Sequence, residues 1–156
     1  MAFLEWLQQL PFFVMIAESG SIWGYPTILV LHTAGLALVV GSALVVSARL
    51  LGMGALAPMS AFELLRPIMW VGFTVNAISG FILFAIAATA KAAQVVFWIK
   101  LSLVAVALVV TVRIMRIVEG AGDQGAVPAS GRVLAVVSLL TWTGAIVAGR
   151  LMAYIK

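Results

Sequence analysis

Four long apolar stretches constrain the fold of this chain more than any other feature. They cover residues 26–51, 67–90, 95–112 and 133–153. Each is close to the roughly 20 residues that a helix needs to cross the hydrocarbon core of a bilayer. Because backbone N–H and C=O groups find no water in lipid, spanning segments of this kind are expected to be helices. We therefore predict an all-α fold: a single domain, residues 1–156, forming an integral membrane four-helix bundle.

The composition supports a lipid environment. Of the 156 residues, 65% are hydrophobic and only 9% are charged, whereas soluble domains carry about a quarter charged residues. A small soluble globule could not bury so much apolar surface, so we expect the lipid bilayer as the main partner. The net charge of +4 is attributed to loops and headgroups, and nucleic acid is not expected as a partner. The absence of cysteine excludes disulfides, thiolate metal sites and thiol catalysis.

The N-terminal segment differs from the four spans. Residues 3–18 place apolar side chains at roughly helical spacing beside Glu5 and two glutamines, with Pro11 interrupting them. This pattern predicts a short interfacial helix that lies on the membrane. Trp6 and Trp23 suit the aromatic belt at headgroup level. No basic region precedes the first span, so we expect that span to remain in the mature protein.

The basic residues predict an orientation. Five arginines flank the connections between spans one and two and between spans three and four, namely Arg49, Arg66, Arg113, Arg116 and Arg132. Lys91 and Lys156 lie at the opposite side. The positive-inside rule places both arginine-flanked loops in the cytoplasm and both termini outside. The predicted location is the bacterial inner membrane. Arg49 and Arg66 are interpreted as orientation anchors, or alternatively as part of a second site.

His32, the single histidine, lies about two turns into the first span. Ionisable residues inside a membrane are costly and usually face a cavity or a partner. Imidazole is also a common axial ligand of haem iron. Gly35, one turn further on the same face, is predicted to leave room for a flat macrocycle. The alternative is a histidine that is hydrogen-bonded to a neighbouring helix.

Two cations are expected at the depth of His32. Lys100 lies near the start of the third span and Arg150 near the end of the fourth, so antiparallel helices bring all three residues to one leaflet. This set suits a ligand with an apolar body and anionic ends. Haem b fits that description, with its iron on His32 and its propionates on Lys100 and Arg150. The alternative is that both cations extend to the interface. Trp98 would line the pocket, and Met152 is a weaker candidate for a sixth ligand.

Small residues recur four apart in three spans. The sets are Thr33, Ala37 and Gly41; Gly72, Asn76 and Gly80; and Thr141, Ala145 and Gly149. Such faces allow helices to approach closely, within one chain or between subunits, and they could alternatively line a cofactor crevice. Packing is the preferred interpretation for each set.

Several of these residues also form a pattern that resembles known families. The pattern consists of His32-Thr33-Ala34-Gly35, Arg49, Ser79-Gly80 and Phe97-Trp98-Ile99-Lys100-Leu101. It resembles uncharacterised small bacterial inner-membrane proteins of four helices. More distantly it is similar to copper-resistance D type membrane domains and to the haem-containing four-helix bacterial protoporphyrinogen oxidase. The oxidase resemblance implies haem-binding roles for His32, Trp98 and Lys100. The spacing from His32 to Arg49 is longer than in the oxidases and their further histidines are missing, so the oxidase activity is not carried over.

Three functional hypotheses follow. The first is a membrane-embedded b-type haem protein with an electron-transfer or redox role near the outer face, whose partner would be a quinone or another redox molecule. One histidine per chain excludes bis-histidine ligation within a subunit, and a homo-oligomer would allow shared haems. The second is a small oligomeric transporter or channel, and the third an accessory subunit of a membrane complex. Whether the chain is an enzyme is left open, but a hydrolase is not expected because all five acidic residues lie outside the spans.

Overall fold

The structure, a computed structural model, describes residues 1–53, 58–121 and 127–154. The described residues do not include Gly54, Lys156 or positions 122–125 of the predicted 120–125 loop, among them Asp123. The described part contains seven α-helices and one short 3-10 helix. In chain order they are α1 (Ala2–Gln8), α2 (Pro11–Glu18), α3 (Tyr25–Leu50), the 3-10 helix (Met59–Phe62), α4 (Leu65–Ala85), α5 (Ala88–Ala93), α6 (Val95–Ala121) and α7 (Ala129–Leu151).

Four of these helices are long and apolar enough to cross a membrane. They are α3, α4 with the preceding turn, α6 and α7, and their mean hydropathies lie between 1.6 and 2.5. At most 33% of the most apolar window of each span is buried inside the chain. The remaining apolar surface faces outward, where lipid can cover it. The predicted all-α bundle is confirmed, and the chain is a multi-pass membrane protein.

Local sequence explains several helix boundaries. Pro26 lies in the first turn of α3, where its missing N–H has no intrahelical acceptor in any case. The same helix ends at Leu50, and Gly52 follows with a φ of +101°, a conformation that L side chains rarely adopt. Its N–H donates to the carbonyl of Arg49 over 3.1 Å, and that of Met53 donates to Ala48 over 3.0 Å. These two bonds close the last turn as a Schellman motif.

The observed helices differ most from the predicted spans at three places, and α7 also begins four residues before the predicted fourth span. The single helix predicted over residues 3–18 is instead two helices, because Pro11 cannot donate to the preceding turn and starts α2. The second span ends at Ala85 instead of residue 90, and α5 follows after a two-residue break. The third span was predicted to end at residue 112. In the structure α6 continues to Ala121, so the charged residues that follow the apolar stretch are also helical.

The four long helices pack in the order α4, α3, α7, α6, with close contact between each neighbouring pair. The short connection between spans two and three predicts that α4 and α6 are also neighbours. These two helices pack only weakly against each other, and the side of the bundle between them is open. In contrast, α3 and α4 approach closely at Gly35 and Gly72. A Cβ added to Gly35 would lie 2.7 Å from the main-chain nitrogen of Asn76 and 2.8 Å from the carbonyl oxygen of Gly72.

Two apolar clusters hold the bundle together. The larger one joins α3, α6 and α7 around side chains such as Val46 and Ile114. Within it, the indole N–H of Trp142 donates to the hydroxyl of Thr111 over 3.1 Å. The smaller cluster packs Leu7 and Phe13 against the junction of α4 and α5. This cluster places α1 and α2 at the same end of the bundle as α5, which we call the α5 end.

Candidate functional site

The side chain of His32 points from α3 toward α4 and lies in a polar contact between the two helices. Its Nδ1 atom is 3.1 Å from the main-chain oxygen of Asn76 and 3.2 Å from the hydroxyl oxygen of Ser79. The Asn76 side chain returns a bond, because its Nδ2 donates to the main-chain oxygen of His32 over 2.7 Å. The structure therefore contains the interhelical hydrogen bonds that were expected as the alternative role of His32. These bonds engage only one of the two ring nitrogens.

The neighbours of Nδ1 determine which nitrogen of the neutral ring carries the proton. The main-chain oxygen of Asn76 can only accept. The Ser79 hydroxyl donates to the carbonyl of Val75 over 2.6 Å, so it presents a lone pair to His32. The third neighbour, Asn76 Nδ2, is farther from Nδ1, at 3.3 Å. Two acceptors around Nδ1 favour the tautomer with the proton on Nδ1, which leaves the lone pair of Nε2 available to a ligand.

Gly80 provides the space that the imidazole ring occupies. A Cβ added to Gly80 would lie 2.9 Å from Cε1 of His32 and 3.3 Å from its Nδ1. Real side chains do not pack at the shorter of these distances, so any larger residue would displace the ring. The glycine is therefore needed for the observed orientation of His32.

A crevice of about 530 Å³ lies on the open side of the bundle between α4 and α6. Its polar groups are His32, Asn76 and Lys100, and most of the remaining lining is apolar. Five aromatic side chains contribute to that lining: Phe73, Phe81, Phe84, Phe97 and Trp98. From Phe73 to Phe84 the crevice follows α4 for 11 residues, which corresponds to about 16 Å along a helix axis.

A smaller cavity of about 350 Å³ adjoins the crevice at the α5 end. The two cavities share five lining residues: His32, Gly80, Phe84, Phe97 and Lys100. The rings of Phe84 and Phe97 stack with centroids 5.1 Å apart and planes 13° from parallel, and this stack bridges α4 and α6 between the cavities. The smaller cavity is also lined by Lys91 and Arg150. We call it the cationic cavity.

The structure brings four of the five predicted site residues to these cavities. His32 and Lys100 line both, Trp98 lines the crevice, and Arg150 lines the cationic cavity. Gly35 is the exception. It is buried at the contact with the α4 backbone, so the predicted space for a macrocycle is not found beside it.

The arginines proposed for a second site lie away from these cavities. Arg66, at the start of α4, forms an exposed ion pair with Glu119 near the end of α6. Arg49 lies in the last turn of α3, at the end of the bundle opposite the α5 end. Neither residue lines the crevice or the cationic cavity.

Sequence reasoning missed some of the residues that build the site. Asn76 and Gly80 were interpreted, together with Gly72, as residues that allow helices to pack closely. Of the three, only Gly72 has no role besides close helix packing. Lys91 was used only to predict orientation. The available signal was the spacing of Asn76, Ser79 and Gly80, which places a polar pair and a glycine on adjacent positions of one face of α4.

His32 is the one imidazole among the described residues that line the two cavities. Among residues 1–53, 58–121 and 127–154, no group of three or more His, Asp or Glu side chains is placed to hold a metal ion. A haem iron needs only one protein ligand, since the porphyrin supplies four nitrogens.

No protein-family model, curated protein or solved structure matches the chain. The geometry of the two cavities is therefore the basis for inferring the function.

Proposed function

We propose that the chain is a membrane-embedded b-type haem protein in which Nε2 of His32 ligates the iron. The observation that carries this proposal is the 3.1 Å contact between Nδ1 of His32 and the main-chain oxygen of Asn76. Histidines that ligate metals almost always donate their other N–H to a carbonyl or carboxylate, which sets the tautomer and the ring orientation. Here the acceptor belongs to a neighbouring helix, so the ligating nitrogen is held ready by the bundle itself.

The two cavities suit the rest of the cofactor. The crevice volume of about 530 Å³ lies within the roughly 300–1,000 Å³ that small-molecule sites occupy. Its aromatic and aliphatic walls suit the porphyrin body, with Trp98 among them. Lys100 and Arg150 would hold the propionates, because cations form charge-assisted hydrogen bonds with carboxylates. Bound haem b would supply one-electron chemistry, whereas the protein would orient it and exclude water.

The single histidine limits how the iron could be completed. Met152 is the one thioether among the described residues that line the cationic cavity. A second subunit is the other candidate source of a sixth ligand, and this is why a homo-oligomer remains part of the proposal. We propose a role in electron transfer near the outer face of the membrane, with a quinone or another small redox molecule as partner.

Absorption spectroscopy tests the proposal. The protein would be purified in mild detergent from cells well supplied with haem, and its spectrum recorded before and after dithionite reduction. We expect a Soret band with reduced α and β bands. The His32→Ala variant should lose them. Thr33→Ala serves as the matched control, because Thr33 is exposed and its hydroxyl donates to the carbonyl of Leu29 in its own helix.

Two results would overturn the proposal. One is a featureless spectrum of the native protein, and the other is a haem spectrum that is unchanged in His32→Ala. Either result would return the transporter or channel hypothesis and the accessory-subunit hypothesis to first place. Solute uptake into proteoliposomes would favour the former, and copurification with a membrane partner the latter.

A further inference from the structure

Three cations from three different helices surround the cationic cavity. Lys91 is on α5, Lys100 is on α6, and Arg150 is at the end of α7. The described residues that line the cavity include no aspartate or glutamate. Among the residues that the structure describes, none of the three cations forms an ion pair with a carboxylate. Within the part of the chain that the structure describes, the cavity therefore concentrates positive charge without a compensating carboxylate.

The positions of the three side chains keep their charges close to the cavity. Lys100 runs along Gly149, with its Cδ and Nζ atoms each 3.6 Å from the position of a Cβ there. Lys91 and Lys100 line the same cavity, so both of their charges face it. The guanidinium of Arg150 lies over the Tyr154 ring, 5.5 Å from its centroid. Like charges repel one another more strongly in a partly buried site than in water, so a bound anion would relieve this repulsion.

We propose that the cationic cavity is a recognition site for paired carboxylates, and that Lys91 is its third binding residue. The ligand class is a flat apolar dicarboxylate of the porphyrin type, whose body enters the adjoining crevice. This choice of ligand rests on the proposed haem function. Recognition of the carboxylates does not depend on the iron or on ligation by His32.

The contiguity of the two cavities supports a ligand that fills both. The apolar crevice and the cationic cavity meet at Phe84, Phe97 and Lys100. A molecule with an apolar body and anionic groups at one edge would place each part in a matching environment. The phosphate of an anionic lipid offers similar chemistry. It could arrive through the open side of the bundle, where 55% of the Trp98 surface is exposed.

A metal-free ligand separates carboxylate recognition from iron ligation. Protoporphyrin IX and its dimethyl ester would be titrated into the haem-free protein in neutral detergent, and binding followed by quenching of tryptophan fluorescence. Because charge-assisted hydrogen bonds are about twice as strong as neutral ones, we expect the diacid to bind at least roughly tenfold more tightly than the ester. Lys91→Gln should weaken diacid binding by roughly fivefold to tenfold and leave ester binding unchanged. Arg132→Gln, an exposed position at the opposite end of the bundle, should alter neither.

The outcomes distinguish this proposal from the haem proposal. Equal affinities for diacid and ester, or a Lys91→Gln variant that weakens both equally, would overturn carboxylate recognition. A retained diacid preference in His32→Ala supports it, because no iron is involved. Carboxylate recognition would also stand if the native protein gave a featureless haem spectrum.

In a further arm, phosphatidylglycerol and phosphatidylcholine would be compared as competitors. Displacement of the diacid by phosphatidylglycerol alone, dependent on Lys91, would assign the cavity to lipid phosphate and overturn the porphyrin assignment.

Discussion

Nδ1 of His32 and the main-chain oxygen of Asn76 lie 3.1 Å apart, across the contact between α3 and α4. Because the acceptor is a backbone atom, a change of the Asn76 side chain leaves it in place. The orientation of the imidazole therefore depends on how closely the two helices approach. That approach is set about one turn away, where Gly35 meets Gly72.

The Asn76 side chain should tune ligand affinity without abolishing the site. Its Nδ2 donates to the His32 carbonyl over 2.7 Å, and Asn76→Ala removes this bond while the main-chain acceptor remains. Substitution of groups that orient metal ligands typically costs 10–100-fold in affinity, and we expect a loss of roughly tenfold for haemin titrated into the haem-free protein. Thr74→Val, on an exposed face of the same helix, is the control. Unchanged haemin affinity in Asn76→Ala would contradict the orienting role.

Gly80 should be required for the site but not for the bundle. In Gly80→Ala the new Cβ would lie 2.9 Å from Cε1 of His32, so the ring must move from its hydrogen-bonded position. We expect weaker haemin binding or shifted absorption bands, with a change in unfolding free energy below about 1 kcal/mol because only a side chain is displaced. Gly41→Ala is matched in chemistry and meets no atom within 4 Å. A spectrum of Gly80→Ala identical to that of Gly41→Ala would count against the proposed ring position.

Gly35 should be required for stability of the bundle. Its Cβ would meet the α4 backbone, 2.7 Å from the Asn76 nitrogen, and a backbone cannot move aside as a side chain can. We expect Gly35→Ala to lower the free energy of unfolding by about 1–3 kcal/mol, measured by denaturation from mild detergent into sodium dodecyl sulfate. Gly41→Ala again provides the comparison. Equal stability of the two variants would show that α3 and α4 do not approach each other as closely at this point.

The orientation of the chain can be measured with single cysteines, since the native sequence has none. We introduce Ser21→Cys before α3 and Ala61→Cys in the turn between α3 and α4, both at exposed positions. The positive-inside rule predicts that a membrane-impermeant maleimide labels Ser21→Cys in intact spheroplasts. Ala61→Cys should be labelled only after the membrane is opened. The reverse pattern would place the cationic cavity on the cytoplasmic side and invert the predicted topology.

Much of the fold could be predicted because it depends on local chemistry. Hydropathy and length identify a span without reference to any other segment, and Pro26 and Gly52 mark boundaries through their own backbone preferences. The shared depth of His32, Lys100 and Arg150 also followed, since alternating helix directions and a fixed rise per residue determine depth. What these quantities leave open is the rotation of each helix about its axis. For this reason Gly35 was predicted to face a ligand, and Gly80 was assigned to packing.

The sequence by itself therefore determined that the chain lies in lipid, how many spans it has and at what depth in the membrane its polar residues lie. Only the tertiary structure decided that a crevice separates α4 from α6. A short connection brings the ends of two helices together, but it does not require the helices to pack against each other along their length. It also decided that a carbonyl of α4 meets His32 and that Lys91 joins Lys100 and Arg150. These contacts depend on how the helices rotate to bury their closest-packing faces, and that rotation is a property of the whole bundle.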